Sequence, residues 1–162
     1  MKDVRAGFGY DSHRFQAGRR LVLGGVEVPH DAGLAGHSDA DAVIHAVIDA
    51  VLGAAGLGDI GSHFPDTDER WRGADSTALL AEVVREVHAA GWTVGNVDVT
   101  VICERPRIGP HAAAMRSRLA GLLGVGTGAV SVKGKTNEGM DAVGSGAGVE
   151  VHAVCILKGT GE

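Results

Sequence analysis

The chain has 162 residues, of which 20 are acidic and 15 basic, for a formal charge of −5. That is the length of one ordinary domain, and no basic cluster follows a path that a nucleic-acid backbone could take, which argues against nucleic-acid binding. No run approaches the roughly 20 apolar residues that a membrane helix needs, and Met1 to Tyr10 mixes Lys2, Asp3 and Arg5 with apolar residues, unlike a secretory signal. The expectation is a single domain over residues 1–162, not bound to a membrane, in the cytoplasm or in a plastid stroma.

In chain order, Val4 to Tyr10 reads as a first strand. It is followed by Asp11 and His13, which point the same way if the chain stays extended and can then grip one ion. An Asp-x-His pair also fits a loop with a hydrogen-bonded acid. Leu21–Leu23 and Val26–Val28 around Gly24-Gly25 predict a tight hairpin. From Ser38 to Leu52 the residues Val43, Ile44, Val47, Ile48, Val51 and Leu52 recur with helical period, and Gly53 is the expected stop.

Ser38 and Asp41 have capping-box spacing at the start of that helix, and His45 lies one turn beyond Asp41. The core stripe is complete without His45, so the helix does not require a histidine there. Asp11, His13 and His45 together would offer one carboxylate and two imidazoles, leaving a fourth tetrahedral position open, as in catalytic zinc sites. Gly58 to Asp68 (GDIGSHFPDTD) packs acids among turn formers. It fits either a solvated turn or a loop presenting carboxylates and backbone groups to a polyol.

Ser76 to Ala90 is a second amphipathic helix with Leu79, Leu80, Val83, Val84 and Val87 on one stripe and Gly91 as its end. Val94 to Cys103, Val130 to Lys133 and Val149 to Leu157 are valine-rich strands, and a third helix runs from about Pro110 to Leu123. Lys133-Gly134-Lys135-Thr136-Asn137-Glu138 gathers two cations, a hydroxyl and a carboxylate, a set suited to a diphosphate with a hard divalent ion on Glu138. Cys103 and Cys155 sit in apolar runs and read as small core residues. This order predicts an α+β fold, two-layer, with a mixed β-sheet and helices on one face. The uncovered face would still carry valines and alanines, which predicts a symmetric homo-oligomer.

The segments GYDSHRF, LGGVEVP, GLAGHSDADAVIHAVIDAVLGAAGLGDIGSHFPDTD and KTNEG, in that order over most of the chain, closely resemble the cyclodiphosphate synthase family of non-mevalonate isoprenoid biosynthesis. The resemblance implies a homotrimer with the sheets packed at its centre and active sites between subunits, each holding zinc and a second ion, magnesium or manganese. It implies a cytidine diphosphate-linked substrate, 4-diphosphocytidyl-2-C-methyl-D-erythritol 2-phosphate, whose 2-phosphate attacks the β-phosphorus. The products would be CMP and 2-C-methyl-D-erythritol 2,4-cyclodiphosphate, which makes the enzyme a cyclising phosphorus–oxygen lyase.

On the same resemblance Asp11, His13 and His45 would hold zinc against the substrate and Glu138 the second ion, while His37 and Thr136 match transition-state stabilisers. Ser38, Asp59 and Gly61 would contact the erythritol part, with Phe64, Pro65, Asp66, Thr67 and Asp68 lining the same pocket and His37 and Ile60 among the substrate-binding residues. Cys103, Pro106, Arg107 and Ile108 would take the cytidine and ribose phosphate, and Lys135, Thr136 and Asn137 would complete the set. The chain departs from the family after KTNEG, where an aromatic, an arginine and a glutamate are replaced by Ala142, Ser145 and Ala147. Those two charged residues belong to a central cavity that holds an isoprenoid diphosphate in relatives, so that accessory site is not expected here. Zinc-activated water, giving a phosphohydrolase, and a zinc-stabilised binding protein are the rival readings.

Overall fold

A computed structural model describes residues 3–161; Met1 and Lys2, included in the N-terminal reading above, and Glu162 lie outside the described residues. The first strand, β1, runs Val4–Ala17, well past Tyr10. Its ladder explains the extension: β1 pairs antiparallel with β7 (Gly148–Gly159) from Val4↔Lys158 to Arg14↔Gly148, then with β4 (Ala32–Leu34) from Phe15↔Leu34. Asp11 and His13 therefore lie inside a strand, where strict alternation puts them on one face with Gly7, Gly9 and Phe15.

The five-stranded sheet has the order β4-β1-β7-β5-β6, with β5 at Trp92–Ile102 and β6 at Val130–Lys135. The β5–β6 pair is parallel and the other pairs are antiparallel, so the sheet is mixed. The hairpin expected from Gly24-Gly25 forms a separate two-stranded ribbon of β2 (Leu21–Leu23) and β3 (Val26–Val28). Helices α1 (Ala42–Ala55), α3 (Ser76–Ala89) and α4 (Ala112–Leu123) bury their apolar stripes over the inner face of the sheet. Both cysteines are buried and free.

Three boundaries differ from the sequence expectation, each for a local reason. Asp41 is not the partner of a Ser38 cap but the N-cap of α1 itself: it is fully buried and accepts from the N–H groups of Ile44, Gly24 and Gly25. Gly53 does not end α1, which continues to Ala55 and closes with Gly56 at φ +73 in the left-handed region. The 58–68 segment is not all loop, because Asp59 accepts from Ser62 N and starts α2 (Ile60–His63), and Asp68 caps a 3-10 turn at Glu69–Trp71. A last short helix, α5 (Asp141–Gly144), precedes β7.

The closest packing in the fold is between α1 and β1. A Cβ on Gly9 would lie 1.8 Å from Ala46 O, and one on Gly7 would lie 1.9 Å from Ala50 O. Glycine is needed on the strand because the helix backbone occupies the space of its side chains, and Ala46, Ala50 and Ala54 complete the contact from the other side. The opposite face of the sheet is open. On it Val4 is 62% exposed, Phe8 61%, Tyr10 44% and Val154 43%, with His152 between the rings of Phe8 and Tyr10.

Two glycine substitutions should act in opposite directions in chemical denaturation. Gly53→Ala meets no atom within 4 Å and removes backbone freedom from a helix interior, so it should stabilise by about 0.5–1 kcal/mol. Gly9→Ala must push α1 off the sheet and should cost about 3 kcal/mol or more.

Candidate metal centre and substrate cavity

Asp11 and His13 come from β1, and His45 comes from the first turn of α1, the helix that the glycine contact lays against that strand. One ligand atom from each residue lies within 4.8 Å of the others, all three part-buried, and this is the one such group of metal-capable side chains among the described residues. His13 Nε2 is 2.8 Å and His45 Nδ1 is 3.0 Å from the same oxygen, Asp11 Oδ2.

Hydrogen-bond accounting fixes the proton on each ring. His13 Nδ1 donates to Ala35 O at 2.6 Å, so neutral His13 has its lone pair on Nε2, facing Asp11. Ser76 Oγ gives its single proton to Asp39 Oδ1, so it can only accept from His45 Nε2 at 2.9 Å, which leaves the His45 lone pair on Nδ1. Two imidazole lone pairs and a carboxylate oxygen thus converge with no donor between them. Such a set requires either added protons or a cation, and the donor chemistry fits a divalent metal of the zinc type.

The charges respond accordingly. Burial would push Asp11 up, but hydrogen bonds and charge from His13 and His45 outweigh it and hold the carboxyl at about 2. Burial works against the charged form of His13, and the hydrogen bond and charge of Asp11 more than offset this, raising it above the ordinary 6.5.

The three ligands open into a cavity of about 480 Å³. Gly36, His37 and Ser38 line it with the ligands, as do Ile60, Gly61, Phe64, Pro65 and Asp66 with Trp71 and Leu79. The segment around Ile60 and His63 is pinned at several points. Asp49 accepts from Ile60 N at 2.8 Å, His63 Nε2 donates to Leu57 O, and His63 Nδ1 lies 3.1 Å from Glu86 Oε2 on α3. His37 Nε2 and Trp71 Nε1 are buried with no hydrogen-bond partner among the described residues, although both residues belong to the cavity wall.

Other expected residues fall elsewhere. Asp59 is exposed and engaged as the α2 cap, with its carboxyl lowered by the N–H and hydroxyl of Ser62. Thr67 is exposed, and Asp68 accepts from Arg70 at the surface. Cys103, Arg107 and Ile108 line a second cavity of about 420 Å³ with Lys135 and Thr136, which shares no lining residue with the first. Pro106 lies in the same turn; Glu138, at φ +52, accepts from Thr136 Oγ1 at 3.3 Å, and Asn137 donates to Asp141. Lys133 is paired with Asp98 Oδ2 at 2.7 Å. The register Asp11↔Val151, Val101↔Val151 and Val101↔Gly134 separates the two cavities by three strand steps, roughly 14 Å.

Asp39 and Ser76, which orient His45, were not picked out in the sequence. Asp39 looked like part of a helix start and Ser76 like the start of another, and only folding places them in one hydrogen-bond chain.

The YgbB family profile matches residues 4–158. A 2-C-methyl-D-erythritol 2,4-cyclodiphosphate synthase from Chromobacterium violaceum is 57% identical over 94% of this chain and 97% of its own. One from Gemmatimonas aurantiaca is 56% identical over 98% of this chain and 95% of its own. A solved structure of a 2C-methyl-D-erythritol-2,4-cyclodiphosphate synthase in CDP-bound form superposes with a TM-score of 0.87 at 41% identity, covering 94% of this chain and 99% of that one.

His45→Ala should abolish stoichiometric divalent-metal binding, measured by metal analysis, while circular dichroism shows α1 retained, since alanine is the better helix former. Metal binding must displace the His13 proton, so affinity should rise by about tenfold per pH unit below the raised His13 value. In chelated protein the His13 contribution is full below 6.5 and fades as pH rises through its raised value. The Asp11 contribution is full above 3.8 and is lost as pH falls towards about 2. Unfolding of the metal-free protein should therefore show the site contributing most between those two ordinary values.

Proposed function

The chain belongs to the YgbB family, and from that premise we propose how it works as a cyclodiphosphate synthase. The reaction converts 4-diphosphocytidyl-2-C-methyl-D-erythritol 2-phosphate to 2-C-methyl-D-erythritol 2,4-cyclodiphosphate and CMP, a cyclising lyase step of the non-mevalonate isoprenoid route. The observation that carries the reading is the Asp11–His13–His45 centre, open on one side into a cavity walled by the 60–66 segment.

Zinc held by these three residues would supply positive charge to a phosphoryl oxygen, and a second ion, magnesium or manganese, would be held by Glu138. Only one ligand of the first set is anionic, so a +2 ion there keeps a net positive charge for the phosphate. The rest of the work is positioning, because the attacking 2-phosphate and the leaving CMP are both parts of the substrate and no protein nucleophile is needed. Ala35 and Ser76 hold the two imidazoles in the tautomers that face Asp11. His37, whose buried Nε2 has no partner among the described residues, and Thr136, from the second cavity of a neighbouring copy, would stabilise charge on the transferring group.

The erythritol part would lie against Ser38, Asp59, Ile60, Gly61 and Phe64 to Asp68. The cytidine and ribose phosphate would take the second cavity, with Cys103, Pro106, Arg107 and Ile108 on one side and Lys135, Thr136 and Asn137 on the other. The arrangement of the two cavities supports a homotrimer. They lie on different strands of one chain and share no wall, while the outer sheet face leaves Val4, Phe8, Tyr10 and Val154 to be covered by other copies. A cytoplasmic location suits such a biosynthetic step.

Phosphorus NMR of the zinc- and magnesium-loaded protein with the cytidylyl substrate should show CMP and a cyclic diphosphate appearing together, and a chelated control should show neither. Release of inorganic phosphate instead would establish a phosphohydrolase, and bound nucleotide without product would establish a binding protein.

A further inference from the structure

The turn that carries His37 and Ser38 is held in an unusual way. Three consecutive carbonyls in it are engaged: Arg19 Nη1 donates to Gly36 O at 2.7 Å, Gly73 N to His37 O at 2.9 Å, and Arg19 Nη2 to Ser38 O at 2.6 Å. The N–H groups of Gly36, His37 and Ser38, in contrast, have no acceptor among the described residues, and all three residues line the metal cavity. The turn is not relaxed by itself. Ala40 just beyond it sits at φ +56, and a Cβ on Gly36 would press on Ala40 and the His13 ring.

Arg19 lies in the bend between β1 and β2 and is part-buried. Among the described residues no carboxylate pairs with it, and both its hydrogen bonds go to the carbonyls on either side of His37. A peptide unit whose oxygen is tied down on one side presents the N–H of the next residue to the other, so the held Gly36 oxygen directs His37 N–H and the held His37 oxygen directs Ser38 N–H, while the Asp39 N–H opposite Ser38 O donates to Ala74 O. Two successive free N–H groups form a concave anion site. The planar guanidinium spans two carbonyls in a way that a lysine ammonium cannot.

We infer that Arg19 is a positioning residue: its bond to the Gly36 carbonyl directs the His37 N–H of that same peptide unit into the cavity, and its bond to the Ser38 carbonyl fixes the far end of the turn, so that the free His37 and Ser38 N–H groups receive a phosphate of the substrate. This rests on the proposed phosphoryl chemistry of the same cavity, and it assigns the anion-binding geometry to a residue that does not touch substrate.

The test is calorimetric titration of the zinc-loaded protein with inorganic pyrophosphate. Arg19→Met should weaken pyrophosphate by about tenfold or more while zinc affinity and helix content are kept. Arg19→Lys should lose about threefold, since its ammonium reaches one carbonyl only. With the cytidylyl substrate, kcat should fall in Arg19→Met at temperatures well below its melting point, a change that a purely structural anchor would not produce. Unchanged pyrophosphate affinity in Arg19→Met overturns the inference. If that variant does not fold, unchanged affinity in Arg19→Lys overturns it equally. Wild-type protein that binds pyrophosphate but forms no cyclic product would refute the proposed activity and leave the role of Arg19 standing, whereas full turnover and binding in Arg19→Met would refute only the latter.

Discussion

The backbone contact between α1 and β1 is the constraint on which the site depends. A helix packed on a sheet through ordinary side chains stands about 10 Å away, too far for a histidine on its first turn to share an oxygen with a strand carboxylate. Gly7 and Gly9 on the strand, facing Ala46, Ala50 and Ala54 on the helix, remove the intervening layer. His45 then reaches Asp11 at 3.0 Å, in line with His13 from the strand itself. The residues without side chains are thus the ones that bring the functional side chains together.

The polar groups around that contact are arranged so that burial is tolerated only with a particular set of protons. Asp41 is removed from solvent entirely but receives three backbone N–H groups, which ties the hairpin turn at Gly24-Gly25 to the start of α1. Asp39 takes the Ser76 hydroxyl and so forces Ser76 to accept from His45. The Asp41 bonds hold the elements together, and the Asp39–Ser76 chain directs the His45 lone pair towards Asp11. A buried polar network with every member satisfied except towards the cavity is what a preorganised cation site requires, because no reorganisation is left to be done when charge arrives.

The same sheet separates the two cavities. It carries the Asp11–His13–His45 cluster on β1 and, three strands away at the end of β6, the cavity beside Lys135 and Thr136. Its outer face exposes the aromatic and branched side chains of Val4, Phe8, Tyr10 and Val154. In the proposed homotrimer, contacts through the outer face would cover those residues, and a neighbouring copy would supply each first cavity with a second. The changes to Ala142, Ser145 and Ala147 lie in and just after α5, and the Ser145 hydroxyl is closed onto Ala142 O instead of reaching outward.

Much was legible in the sequence because local physics writes it there. The period of Val43, Ile44, Val47 and Ile48 specifies a helix, the alternation of Val97, Val99 and Val101 specifies a strand, and Gly24-Gly25 specifies a tight turn, since each depends only on near neighbours. Asp11, His13 and His45 could be nominated from residue type and spacing, and the family resemblance supplied their company. What the sequence could not decide is whether His45 meets Asp11, that β1 continues through its polar residues, that Gly53 is interior to α1, or that Ser76 and Asp39 set the tautomer of a histidine 31 residues away from Ser76. Those depend on pairings between distant segments. A strand is extended by its partner, a glycine is a stop or an interior residue according to the φ that packing imposes, and a proton is assigned only when donor and acceptor are brought to contact. Tertiary structure alone sets these distances, and the chemistry of the site is made of them.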